Sequence, residues 1–118
     1  MIGPVNILSK DRQIYLEAGK YKILCLGGWG VELNEFEIKL KEIEGAGVLN
    51  SRKAKWPVQS YVLNKRAKRI GTVEVLKSGN YILEFIHPYS LRVKKSNLFF
   101  ASRFEKFLDT KAIDVVLL

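Results

Sequence analysis

The sequence predicts an all-β fold, an antiparallel β-sandwich of the jelly-roll type with about seven or eight strands and at most one short helix near 103–109. Three observations carry this. Apolar and polar residues alternate with period 2 in several short stretches, the pattern of a strand with one buried face. Glycine-rich or polar breaks separate those stretches. Only one segment, "RFEKFLD" (103–109), spaces its apolar residues as a helix would, with Phe104 followed by Phe107 and Leu108. An antiparallel barrel is the competing architecture. At 118 residues the chain is read as a single domain, 1–118, long enough to bury a core without staples.

Each element follows from its residues. "RQIYLE" (12–17) alternates and runs into a turn at Ala18-Gly19. "KYKILCLG" (20–27) places Tyr21, Ile23 and Cys25 on one face and Lys22, Leu24 and Leu26 on the other. Both faces become apolar toward Leu26, so this strand is expected to lie centrally. "GGWG" (27–30) must be a loop. "EFEIKLKEIE" (35–44) is the clearest strand, with Phe36, Ile38 and Leu40 alternating against charged residues. Residues 45–55, "GAGVLNSRKAK", are read as a connection. "WPVQSYVLN" (56–64) reads as a strand with Pro57 near its start, where a missing donor is tolerated. The basic head of "KRAKRIGTVEVLK" is read as a hairpin or loop, followed by a strand at 72–77. Further strands are expected at 80–87, 96–102 and in "AIDVVLL" at the end.

Composition bounds the chemistry. The hydrophobic fraction of 47% fits a globular protein. One cysteine rules out an internal disulfide framework. No run is long and apolar enough to span a bilayer, and the N-terminus lacks the pattern of a signal peptide, so a soluble, cytoplasmic protein is expected. His87 is the sole histidine and Cys25 the sole cysteine, which excludes a His/Cys metal cluster. No serine sits in a Gly-x-Ser-x-Gly elbow, and "GGWG" lacks the Lys-Ser/Thr of a phosphate-binding loop. A non-enzymatic protein is therefore expected, with no catalytic, cofactor or metal residues. Cys25 reads as a small buried hydrophobe, and His87, preceding Pro88, as extended.

"EAGKYKILCL" (17–26) echoes "KSGNYILEFI" (77–86): a turn, Gly, a spacer, Tyr, then an alternating strand. Glycine suits the turn and tyrosine starts a strand well, so the echo reads as one local solution used twice.

The longest informative stretch is "SGNYILEFIHPYSLRVKKSNLFF" (78–100). Tyr81, Leu83 and Phe85 share a face and should enter the core. Pro88 ends the ladder for lack of a donor, Ser90 holds the corner through nearby backbone, and Lys94 and Lys95 follow in a loop. Tyr89 is expected to be buried with its hydroxyl tethered to backbone. The spacing of Gly79, Tyr81, Leu83, Phe85, Tyr89, Ser90, Lys95 and Phe99 resembles the final hairpin of GOLD domains, β-sandwich modules of secretory cargo receptors and some lipid-transfer proteins. Ile86-His87 replaces that family's Asp-Asn, and its paired cysteines, signal and anchor are missing. The resemblance implies a GOLD-like sandwich used for protein binding, with no activity attached.

Two functions are expected from these features. The first is a protein-interaction module for a partner whose identity the sequence does not specify. Its anchor is Trp29, displayed between Gly28 and Gly30, unless Trp29 folds back to cap the sandwich. An exposed edge strand is a second route to a partner. The alternative is binding of nucleic acid or another polyanion, anionic lipid included. The net charge of +8 is concentrated in residues 51–106, where 13 Lys/Arg face 3 Asp/Glu. Three runs carry it, "SRKAKW" (51–56), "NKRAKR" (64–69) and "RVKK" (92–95), with Trp56 or Tyr61 to stack bases. The candidate partner-binding residues are Trp29, Tyr89, Arg66, Lys68, Arg69, Arg92, Lys94 and Lys95.

Overall fold

A computed structural model describes residues 1–54, 58–95 and 106–118. The strands among them are β1 (Ile2–Asn6), β2 (Arg12–Leu16), β3 (Gly19–Leu26), β4 (Gly30–Glu32), β5 (Glu37–Glu42), β6 (Val48–Asn50), β7 (Arg52–Lys53), β8 (Gln59–Val62), β9 (Lys65–Val75), β10 (Gly79–Ile86), β11 (Arg92–Lys94) and β12 (Asp114–Leu117). All pairings are antiparallel. A six-stranded sheet runs β1-β12-β3-β9-β7, with β8 also paired to β9. A four-stranded sheet runs β2-β10-β5-β6, and β11-β4 form a separate ribbon. The protein is thus an all-β sandwich, and no helix among the described residues is long and apolar enough to cross a membrane.

Period-2 patterning fills the space between the sheets. Ile23, Cys25, Val73, Val115 and Leu117 from one sheet meet Ile14, Leu16, Ile38, Leu40, Tyr81 and Leu83 from the other. Each such side chain, fully buried, contributes about 1.5–3 kcal/mol of transfer free energy. Phe36 and Phe85 stack at one edge of this core, centroids 6.1 Å apart. β3 is central, as its two apolar faces predict: Leu24 and Leu26 join Ala67 and Val116 in a second small cluster on the outer side of the sheet.

The echoed segments explain how the chain changes sheets. β2–β3 and β9–β10 each pass from one sheet to the other, and the two passages lie side by side, with the Ala18 amide donating to Ser78 Oγ at 2.8 Å. In each, the tyrosine hydroxyl donates to the carbonyl four residues back: Tyr21 to Glu17 at 2.8 Å and Tyr81 to Lys77 at 2.5 Å. The tethered tyrosines are therefore these two. Tyr89, expected to be buried and tethered, is instead 70% exposed. Tyr81→Phe should cost about 1 kcal/mol of stability in urea unfolding. Tyr21→Phe should cost less, because its bond lies at the surface. Equal, negligible losses would contradict this role.

Other expectations are corrected. Of the two alternatives for the basic head of 65–69, the hairpin is the one found: a two-residue turn, Leu63 at φ 52° and Asn64 at φ 61°, joins β8 to β9, and the strand expected from 72 already starts at Lys65 as the eleven-residue β9. Buried Ala67 and Ile70 fix it to the sheet, and the heads of Arg66 and Lys68 are held by the backbone carbonyls of Lys95 and Trp29. Within 45–55 the chain forms β6 and β7, effectively one strand bent at Ser51 to serve both sheets. The Ser51 amide donates to the Ile38 carbonyl at 2.9 Å, and Ser51 Oγ accepts from the Ile38 amide at 3.2 Å. β1 escaped the reading because Gly3 and Pro4 interrupt its alternation where its register shifts. His87 is left-handed at φ 50°, not extended. Its carbonyl is held by the Ser90 amide at 3.0 Å and Ser90 Oγ at 2.9 Å, which closes the 3₁₀ turn Pro88–Ser90. Lys94 belongs to β11, not to a loop. The strand expected at 96–102 lies outside the described residues, as does 103–105 of the expected helix. Residues 106–109 carry no helix, and the nearest helical turn is the 3₁₀ turn Thr110–Ala112.

Candidate nucleic-acid interface

The local sequence around Trp29 dictates a close crossing of three elements. Gly27 takes φ +125°, and its amide donates to the Arg66 carbonyl at 2.8 Å. Gly28 is buried so tightly that a Cβ there would stand 2.0 Å from the Lys94 carbonyl oxygen. The Trp29 amide then donates to the Lys95 carbonyl at 3.2 Å. Gly30 continues into the ribbon, where Val31 opposes Val93 and Glu32 opposes Arg92.

Trp29 folds back rather than standing free. Its indole N–H donates to the Ser60 carbonyl at 3.2 Å, and its own carbonyl accepts from Lys68 Nζ at 2.9 Å. The Arg66 guanidinium lies 4.7 Å from the ring centroid and donates through Nη1 to the Lys95 carbonyl at 2.6 Å. Tyr61 meets the indole edge-on, centroids 5.3 Å apart at 75°. Cation–π and aromatic-edge contacts of this kind are worth about 0.5–1.5 kcal/mol each. The displayed-anchor role for Trp29 is corrected accordingly: the ring is half-buried and caps this end of the sandwich.

Tyr61 opposes Arg66 across the β8–β9 pair, and Lys68 follows two residues on, so the three side chains share one face. Tyr61 is 64% exposed, leaving ring surface open to solvent. A second aromatic lies beside the ribbon. The Leu108 amide donates to the Val93 carbonyl at 2.7 Å, which lays the segment around Phe107 along β11. Arg92 and Lys94 then stand 4.4 and 4.6 Å from the Phe107 ring centroid. Next to the Trp29 crossing, an open groove of about 410 Å³ is lined by Leu26, Gly27, Lys65, Arg66, Lys95 and Leu108.

The fold thus gathers Arg66, Lys68, Arg92, Lys94 and Lys95 around Trp29, Tyr61 and Phe107. Two candidates do not join them. Arg69 opposes Leu24 while Lys68 opposes Cys25, so Arg69 points to the other face of the sheet. Tyr89 sits in the 3₁₀ turn beyond the Arg92 end of the ribbon, away from Trp29. Of the first basic run, Arg52 and Lys53 lie on β7, while Lys55 and Trp56 fall outside the described residues. Phe107 was missed because its spacing suggested a helix; its partner Val93 is distant in sequence and no local pattern announces the pairing. Cys25 is buried as expected, and burial, reinforced by Asp114, pushes its thiol up to about 12, far from a nucleophile.

No family model matches the chain, and neither do any curated protein or solved structure.

Proposed function

We propose that this protein is a non-enzymatic binding module for single-stranded nucleic acid, held at the Trp29 end of the sandwich. The observation that carries the reading is the convergence of basic runs distant in sequence on the Trp29 crossing, Arg66 and Lys68 beside Trp29 and exposed Tyr61, Arg92 and Lys94 beside Phe107, with Lys95 lining the groove between β9 and Leu108. Cations neutralise phosphates, and an open aromatic ring offers a base a stacking surface. Bases inside a duplex cannot reach such a ring, so a single strand is favoured over a duplex. An anionic membrane interface also takes up an exposed tyrosine beside cations, so vesicles form a separate arm of the test.

The test is fluorescence anisotropy with a labelled mixed-sequence single strand, the matching duplex, and vesicles of anionic lipid in parallel. The single strand should bind at least tenfold more tightly than the duplex. Equal affinity for both, binding to vesicles alone, or no binding at low salt would overturn the reading.

A second reading, protein binding by strand addition, is favoured by β8. Among the described residues β8 pairs with β9 alone, and Val58, Tyr61 and Leu63 are exposed along it. Kinship with GOLD-like sandwiches belongs with this reading, since it implies protein binding. Its support is the strand Gly79–Ile86 running into the Ser90 corner.

A further inference from the structure

Beyond the Trp29 end, a second cationic surface lies on the outer face of the six-stranded sheet. Lys22 of β3, Thr72 of β9 and Arg52 of β7 are direct cross-strand partners and form one row. Opposed residues share a face, and strands lie about 4.8 Å apart, so the row is roughly 10 Å long. A hydroxyl sits at its centre and a cation at each end. Both Lys22 and Arg52 are exposed.

A bulge in β9 completes the surface. Ile23 pairs with Gly71 and Leu24 with Arg69, so Ile70 is the extra residue. An extra residue reverses the alternation. It turns Ile70 into the core and puts Arg69 on the same outer face as Thr72, although the two are three positions apart. Lys65, four residues before Arg69, shares that face and lines the groove beside Trp29. At the far end, Lys20, Lys22, Asn50, Arg52, Thr72 and exposed Leu76 line an open groove of about 600 Å³. Glu74, opposite Lys20, is the acidic residue on this stretch of β9.

We infer that this groove is a second phosphate-binding subsite for the same single strand, which spans from the groove beside Trp29 to the Lys22–Thr72–Arg52 row past the covered Leu24–Leu26–Ala67–Val116 cluster. The inference rests on the nucleic-acid reading and extends it by naming the ligand's path and minimum length. From Lys65 to Thr72 the path is about 23 Å at the usual strand rise. That distance corresponds to about seven nucleotides at a stacked spacing near 3.4 Å. A strand of about four nucleotides reaches one subsite, and a strand of about twelve reaches both.

The experiment is a length series of mixed-sequence single strands, from about 4 to about 16 nucleotides, on the full chain and on a Lys22→Glu/Arg52→Glu variant. Both substitutions sit on exposed side chains, and near-ultraviolet circular dichroism verifies the fold. Wild-type affinity should rise at least tenfold between about 4 and about 12 nucleotides. The variant should keep the short-strand affinity and lose the rise, while Lys22→Arg/Arg52→Lys should retain it. A variant that matches wild type at every length overturns the second subsite and leaves the Trp29 site standing. Absence of wild-type binding at every length overturns the Trp29 site, and the subsite with it.

Discussion

Gly28→Ala is expected to unseat the Trp29 end of the sandwich. A methyl group at this position would lie 2.0 Å from the Lys94 carbonyl oxygen, 2.6 Å from the Lys94 carbonyl carbon and 2.9 Å from Lys95 Cα. All three are backbone atoms, so no side chain can swing aside to make room. Loop and ribbon must separate, and the bond from the Trp29 amide to the Lys95 carbonyl goes with that separation. Arg66 and Lys68 then lose the acceptors that aim them. Overpacking of this kind costs about 1–3 kcal/mol, and a clash with backbone belongs at the upper end or above. The urea midpoint should fall accordingly, and oligonucleotide affinity should fall with it. An unchanged midpoint would show that the crossing is looser than its geometry implies.

Tyr61→Ala is the largest expected effect on binding alone. Base–aromatic stacking is worth about 1–3 kcal/mol per base, or roughly 5- to 150-fold in affinity. Tyr61 also meets Trp29 edge-on, so Tyr61→Phe is the informative companion, since it keeps the ring in both roles. The phenylalanine variant should bind within a few-fold of wild type while the alanine variant does not. Tyr15, equally open to solvent but on the four-stranded sheet, serves as the reference: Tyr15→Ala should leave affinity unchanged. Loss of binding in both alanine variants alike would point to a general surface effect, not a stacking site.

What the sequence disclosed follows the reach of its signals. Period-2 alternation is local, so β2, β3, β5 and β10 were legible, and so was the central place of β3 with its two apolar faces. Strands that owe their place to distant partners were not. The first half of β9 was hidden behind "KRAKR", whose lysines and arginines do not alternate with apolar residues and whose place is fixed by buried Ala67 and Ile70, while its end falls within the strand expected at 72–77. β6 and β7 are held by β5 and β9, not by their own pattern. The same limit governs the site. Tyr61, Arg66 and Lys94 could be named as residue types suited to nucleic acid, but their convergence depends on the Gly27–Gly30 crossing. The tyrosine reading shows the limit from the other side. The sequence points to Tyr89 as the tethered tyrosine, whereas the tethered ones are Tyr21 and Tyr81, each donating to a carbonyl four residues back at a sheet-to-sheet passage. Tyr89, in its 3₁₀ turn, stands in solvent.

The central claim is that exposed cations around the Trp29 crossing neutralise the phosphates of a single strand. Its most direct test is the salt dependence of affinity, measured for wild type and for Lys65→Ala/Lys95→Ala. Both lysines are exposed and line the groove beside Trp29. For single strands, log K falls against log salt with a slope near −0.7 per phosphate neutralised. The wild-type slope should be steep, and the double variant should be shallower by about 1.4, two phosphates' worth. A flat wild-type slope, or the same slope in the double variant, would contradict the claim.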